Sequence, residues 1–180
     1  SVSCHNYTEF TKEVVLTLTK DQQAALRVTG DTTVVYGKTL QLGAEGGSCT
    51  GAVTYAVTGG TGDATIDGDG VLTPARVGTV KVTATRAGDV DFDPITSAEV
   101  EITITQATPT GEPKYTKITT GGRTLDDAKL TTVGSTLLPA EGTLEWIDDA
   151  GNVLPGNTRV ESGKTYKWRF TPTDSNYTSL

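Results

Sequence analysis

Four stretches of the chain place apolar residues at every second position: Leu40, Leu42 and Ala44; Val53, Tyr55 and Val57; Val80, Val82 and Ala84; and Val100, Ile102 and Ile104. The positions between them hold chiefly threonine, lysine and glutamate. A period of two sends alternate side chains to opposite faces, so each stretch predicts a strand buried on one side. No window sustains a 3.6-residue period; the best candidate, residues 125–130, is one turn long. With glycine turns between the stretches, the pattern predicts an all-β chain. Residues 24–106 then hold about seven short strands, the number expected of a two-sheet sandwich.

The pattern also returns at long range. EVVLTLT (residues 13–19) matches EVEITIT (residues 99–105), an acid followed by apolar residues alternating with threonine. Tyr7 in HNYTEFT, Phe92 in VDFDPIT and Tyr177 in SNYTSL are evenly spaced. Their interval of about 85 residues suits an array of small β-domains, because solenoid units are about 20–50 residues long. In this reading residues 1–23 are the last strand of a preceding repeat plus a linker. Residues 24–106 are a complete domain, and residues 107–180 a second domain that lacks its closing strand. KDQQAA (residues 20–25) and QATPTGEPK (residues 106–114) supply the polar and proline-bearing joints. Ser1 in place of an initiating methionine reads as a cut end.

TIDGDGVLTPAR (residues 65–76) raises the question of calcium. An EF-hand loop needs oxygen ligands at positions 1, 3, 5 and 12 with glycine at 6. Setting Gly70 at position 6 puts Asp67 and Asp69 at 3 and 5, but Thr65 falls at 1 and the cation Arg76 at 12. Asp-Gly pairs are what a tight hairpin needs, so the stretch predicts a turn between strands. DVDFD sets Asp89, Asp91 and Asp93 at alternate positions, with Pro94 where an EF-hand needs its glycine. These three are the candidate metal ligands, of a non-EF type, against the alternative of a solvated acidic loop.

Several spaced motifs now agree in order: Gly37 to Leu42, Tyr55 to Val57, Ala64 to Thr73 and Gly78 to Thr85. Together they resemble the group 2 bacterial Ig-like domains of surface proteins over most of residues 30–105. TLEWID (residues 143–148) and YKWRFTPTDSNY (residues 166–177) resemble a related Ig-like repeat of Gram-positive surface proteins. The resemblance implies tandem immunoglobulin-like β-sandwich domains. It also implies a non-enzymatic structural or spacer module in a bacterial cell-surface or secreted protein, holding other domains away from the cell. The alternative is an adhesin or carbohydrate-binding module whose partner is a host protein or glycan.

Composition narrows the remaining classes. Threonine, valine and glycine abound, methionine is absent, and the formal charge is −7 with the cations scattered. An acidic chain without a basic stripe argues against nucleic acid as a partner. No apolar run approaches the roughly 20 residues of a membrane-spanning helix. Cys4 and Cys49 allow at most one bridge, with idle thiols as the alternative. The single histidine, His5, gives catalysis little to assemble, and no nucleophile elbow, P-loop or zinc spacing occurs, so neither an enzyme nor a cofactor is expected.

Tyr166, Trp168 and Phe170 alternate with Lys167 and Arg169, and Leu144 and Trp146 share a face nearby. An aromatic row opposite a charged row reads as the inner face of a strand. Sugar stacking is the alternative, and Trp146 and Trp168 are the residues to carry it. Residues 12–19 form a spare closing strand. A neighbouring molecule could donate them to an open sheet edge of the second domain, an association produced by the cut; otherwise the chain is a monomer.

Overall fold

The computed structural model describes residues 11–180, so Cys4, His5 and Tyr7 lie outside the described residues. The alternating stretches form strands. β5 (Val53–Gly60) and β10 (Val100–Thr105) flank β8 (Gly78–Arg86), which is antiparallel to both. β2 (Thr33–Val35) runs parallel to β10 along its outer edge, and β9 (Ile95–Thr96) begins the return along β8. A second layer has β7 (Val71–Arg76) between β3 (Leu40–Gln41) and β6 (Asp63–Ile66), while β1 (Leu26–Thr29) pairs with β4 (Gly43–Gly46). The described residues are all-β and sandwich-like, and no helix among them is long and apolar enough to cross a membrane.

The predicted inward faces are the buried ones. Val80, Val82, Ala84, Ile102 and Leu72 are at most 1% exposed, and Leu26, Val34, Leu40, Leu42 and Ile104 pack around them. Burying one such aliphatic side chain contributes about 1.5–3 kcal/mol, so this cluster is the main favourable term of the fold. On the outer face, Lys81 Nζ meets Glu99 Oε2 at 3.0 Å and Thr58 Oγ1 donates to Glu99 Oε1 at 2.9 Å. The Lys81 hydrogen bond, and then that of Thr58, holds the Glu99 carboxyl below the usual range.

Leu40, Leu42 and Ala44 do not share one strand as their alternation predicts. The chain breaks at Leu42, whose N–H turns to the Gly70 carbonyl at 2.9 Å. β3 therefore pairs with β7 and β4 with β1, which divides one predicted strand between two partners. Leu40 and Leu42 stay buried, and Ala44 is half-buried.

DGDG is a hairpin tip, as the loop chemistry predicts. The Asp67 carboxylate accepts the N–H groups of Asp69 and Val71 at 3.0 and 2.9 Å, and Gly70 N donates to Asp67 O at 3.2 Å. Gly70 has φ +81° and is buried.

Beyond residue 106 the strands are fewer. β11 (Lys114–Tyr115) pairs with β12 (Leu130–Thr131), and β13 (Gly142–Ile147) pairs with β14 (Lys167–Pro172). Phe170 is fully buried, with Leu125, Ala128 and Leu137 also buried in this part of the chain. The one-turn pattern at residues 125–130 is a turn that starts at Thr124, whose carbonyl accepts Asp127 N at 3.1 Å.

The DGDG turn recurs at the end of β13. Asp148 accepts the N–H groups of Ala150 and Asn152 at 2.9 and 2.8 Å, Gly151 N donates to Asp148 O at 3.1 Å, and Gly151 has φ +84°. The two glycines differ in their surroundings. A Cβ on Gly70 would lie 2.6 Å from the Leu42 carbonyl oxygen and 3.1 Å from the Tyr55 ring, whereas one on Gly151 meets open space. Gly151→Ala should therefore cost only the left-handed conformation, about 1–2 kcal/mol. Gly70→Ala should cost clearly more, because the backbone of Leu42 must also move. Urea unfolding of the two variants side by side measures the difference, and equal losses would contradict this account of the turn.

Candidate functional site

Two of the evenly spaced aromatics, Phe92 and Tyr177, each meet a segment that lies far from them in sequence. Asp21 lies two residues after EVVLTLT and bridges Phe92: its N–H donates to Asp91 O at 2.8 Å, and Asp93 N donates to Asp21 O at 3.0 Å. Ala107 lies two residues after EVEITIT and bridges Tyr177 in the same way. Its N–H donates to Asn176 O at 3.0 Å, and Thr178 N donates to Ala107 O at 2.9 Å. A linker segment is thus pinned to the aromatic position twice, with one hydrogen-bond pattern.

Each clamp has its own reinforcement. At the first, Gln23 is buried, its amide N–H reaching Asp93 O at 2.7 Å and its Oε1 accepting Ser48 N at 3.2 Å. At the second, Asn176 Oδ1 accepts Val77 N at 2.8 Å, and Gln106 Nε2 donates to Ser175 O and Tyr177 O at 2.9 and 3.1 Å. The Tyr36 and Tyr177 rings meet edge to face at 5.6 Å. Gln23 also touches Ala87, next to one end of β8, and Val77 precedes the other end. The two clamps therefore lie at opposite ends of β8, about 3.3 Å per residue apart along its nine residues.

Asp89, Asp91 and Asp93 belong to the first clamp. The Asp89 carboxylate accepts the N–H groups of Asp91 and Phe92, both at 2.9 Å, while Asp91 and Asp93 contribute main-chain atoms to Asp21. Among the described residues, no three acidic, histidine or cysteine side chains come together as a metal site. Among the described residues Cys49 has no disulfide partner, and its Sγ lies 3.1 Å from the Ala87 carbonyl oxygen.

Trp146 and Trp168 are brought together as directly opposed residues of β13 and β14. Both are half-buried and neither is part of a closed core as the aromatic alternation predicts. With Tyr115, Ile118, Leu125 and Tyr166 they line a cavity of about 530 Å³. Trp146 Nε1 donates to Ala128 O at 3.1 Å, and its ring meets Tyr115 edge to face at 6.3 Å. The indole is therefore held in place with its apolar body toward the cavity.

Sequence reasoning missed three things. It noted Tyr177 but not Asn176, although the triplet Asn176-Tyr177-Thr178 recurs as Asn6-Tyr7-Thr8. It passed over Gln23, whose polar type suggests a linker and whose burial depends on distant partners. It also missed the kinship of DGDGV with DDAGN. In the second turn, the hydrogen bond from the Asn152 side chain, then that from its backbone, holds the Asp148 carboxyl below the usual aspartate range. A depressed carboxyl favours the folded state above the ordinary aspartate range, and that contribution is lost as the pH falls through the depressed value. Side-chain carboxyl NMR should show Asp148 titrating below an ordinary aspartate, and Asn152→Ala should move it back up. An unmoved titration would contradict the assigned hydrogen bond.

Comparison of the chain with family models, with curated proteins and with solved structures finds no match.

Proposed function

We propose that the chain is a non-enzymatic spacer: tandem Ig-like domains of a bacterial cell-surface or secreted protein, holding neighbouring domains apart. The observation that carries this reading is the repeated clamp. A spacer needs units that enter and leave at opposite ends and joints that resist bending. The clamps at Asp21–Phe92 and Ala107–Tyr177 lie at opposite ends of β8, and each ties its linker by two main-chain hydrogen bonds. The strand orders β2-β10-β8-β5 and β3-β7-β6, with β2 parallel to β10, support the Ig-like reading.

Tyr177→Ala combined with Asn176→Ala removes the ring contact and the Val77 hydrogen bond from the second joint. NMR relaxation should show the segments on either side of Ala107 tumbling as one body in the wild type. In the double variant they should reorient separately, while both retain their dispersed amide spectra. Independent tumbling in the wild type would refute the spacer reading.

The aromatic cavity supports a second reading, a carbohydrate-binding module or adhesin. Tryptophan emission titrated with glycans is its test, and saturable quenching would favour it over the spacer.

A further inference from the structure

Among the described residues, β14 has a paired neighbour, β13, on one side and an edge open over Lys167 and Trp168 on the other. In the first set, β10 lies between β8 and β2 and fills the core with Ile102 and Ile104. β14 corresponds to β8 residue by residue, TYKWRFT (residues 165–171) matching TVKVTAT (residues 79–85). Tyr166, Trp168 and Phe170 stand for Val80, Val82 and Ala84, and each row faces inward. Ser97 N reaches Ala84 O at 2.8 Å where the chain turns onto the β8 edge. Leu180 does the same on β14, exchanging two main-chain hydrogen bonds with Phe170 at 2.8 and 2.9 Å. From there toward Tyr166, no strand among the described residues pairs with this edge of β14. The aromatic cavity opens at the same place, lined by Tyr166 and Trp168 and by Thr116, Lys117 and Ile118.

The chain also carries a strand without a place. Residues 12–19 form no strand pairing, and Val14, Leu16 and Leu18 are 72, 90 and 89% exposed. Their sequence matches β10: Val14, Leu16 and Leu18 correspond to Val100, Ile102 and Ile104, and Glu13 to Glu99. Exposed aliphatic side chains alternating with threonine on an unpaired segment are suited to strand addition at an open edge.

We infer that residues 12–19 of one copy insert beside β14 of a second copy and fill its aromatic cavity, linking copies head to tail. The register follows from β10, where Val100 lies opposite Val82 and Ile102 opposite Val80. Val14 comes to lie opposite Trp168 and Leu16 opposite Tyr166. Glu13 approaches Lys167, as Glu99 approaches Lys81. Insertion within one chain is disfavoured by position. Asp21 fixes the segment at the Phe92 end of β8, whereas the second set of strands begins beyond the other end. This inference is independent of the spacer reading, since it concerns only which segment completes β14.

Analytical ultracentrifugation of residues 1–180 over a range of concentrations tests the association. The wild type should gain mass with concentration, and Leu16→Glu combined with Leu18→Glu should abolish that gain. These substitutions lie on an exposed, unpaired segment and leave both cores untouched. The same variant should then bind a synthetic peptide of residues 12–19, KEVVLTLT, with a saturable blue shift of tryptophan emission. A wild type that stays monomeric, a variant that still associates, or a peptide that leaves the emission unchanged would each overturn the inference. Glycan quenching with no response to the peptide would assign the cavity to a sugar instead.

Discussion

The pairing of β10 with β8 is the constraint on which the rest of the first set of strands depends. It buries Ile102 and Ile104 against Val80 and Val82, so the core is incomplete until β10 is in place. It also carries β2, which has no neighbour in that sheet except β10. Because β10 runs antiparallel to β8, its end delivers Gln106 and Ala107 to the edge where β8 begins. The second clamp can form only there. One ladder therefore sets the core and the exit point of the chain together.

This coupling accounts for the contacts around Tyr177. Ala107 leaves β10 with main-chain groups that no sheet satisfies, and such groups need partners. The residues around Tyr177 supply them, as those around Phe92 do for Asp21, and both aromatic residues are half-buried. Asp89 plays its part by fixing the turn that presents Asp91 and Asp93. In this acidic run the Asp89 carboxylate is engaged by neighbouring N–H groups, while Asp91 and Asp93 meet Asp21 through main-chain atoms.

Sequence pattern revealed those features whose causes are local. The alternation in TVKVTAT and EVEITIT identified the buried faces of β8 and β10, because a half-buried strand leaves a period of two. DGDG identified its own turn, since the Asp67 hydrogen bonds span only four residues. The break at Leu42 was not legible, because it is caused by the Gly70 carbonyl approaching from a distant hairpin. Gln23 and Asn176 were hidden for the same reason: their partners lie far along the chain. Trp146 and Trp168 show the limit differently. Alternation says which face they occupy, but not whether a neighbouring strand covers it.

That last distinction separates the two sets of strands. On β8 the inward row is Val80, Val82 and Ala84, small enough for a full-length neighbour to pack beside it with nothing exposed. At β14 the same row is Trp168 and Phe170, preceded by Tyr166 just outside the strand, and only Phe170, where Leu180 pairs, is fully buried. Burial thus stops where the pairing stops. Bulky rings with anchored polar atoms, as in Trp146 with Ala128, tolerate such partial cover better than aliphatic side chains, because one edge can remain wet. The aromatic row and the unpaired edge thus coincide among the described residues: the half-buried rings lie where β14 has no second neighbour.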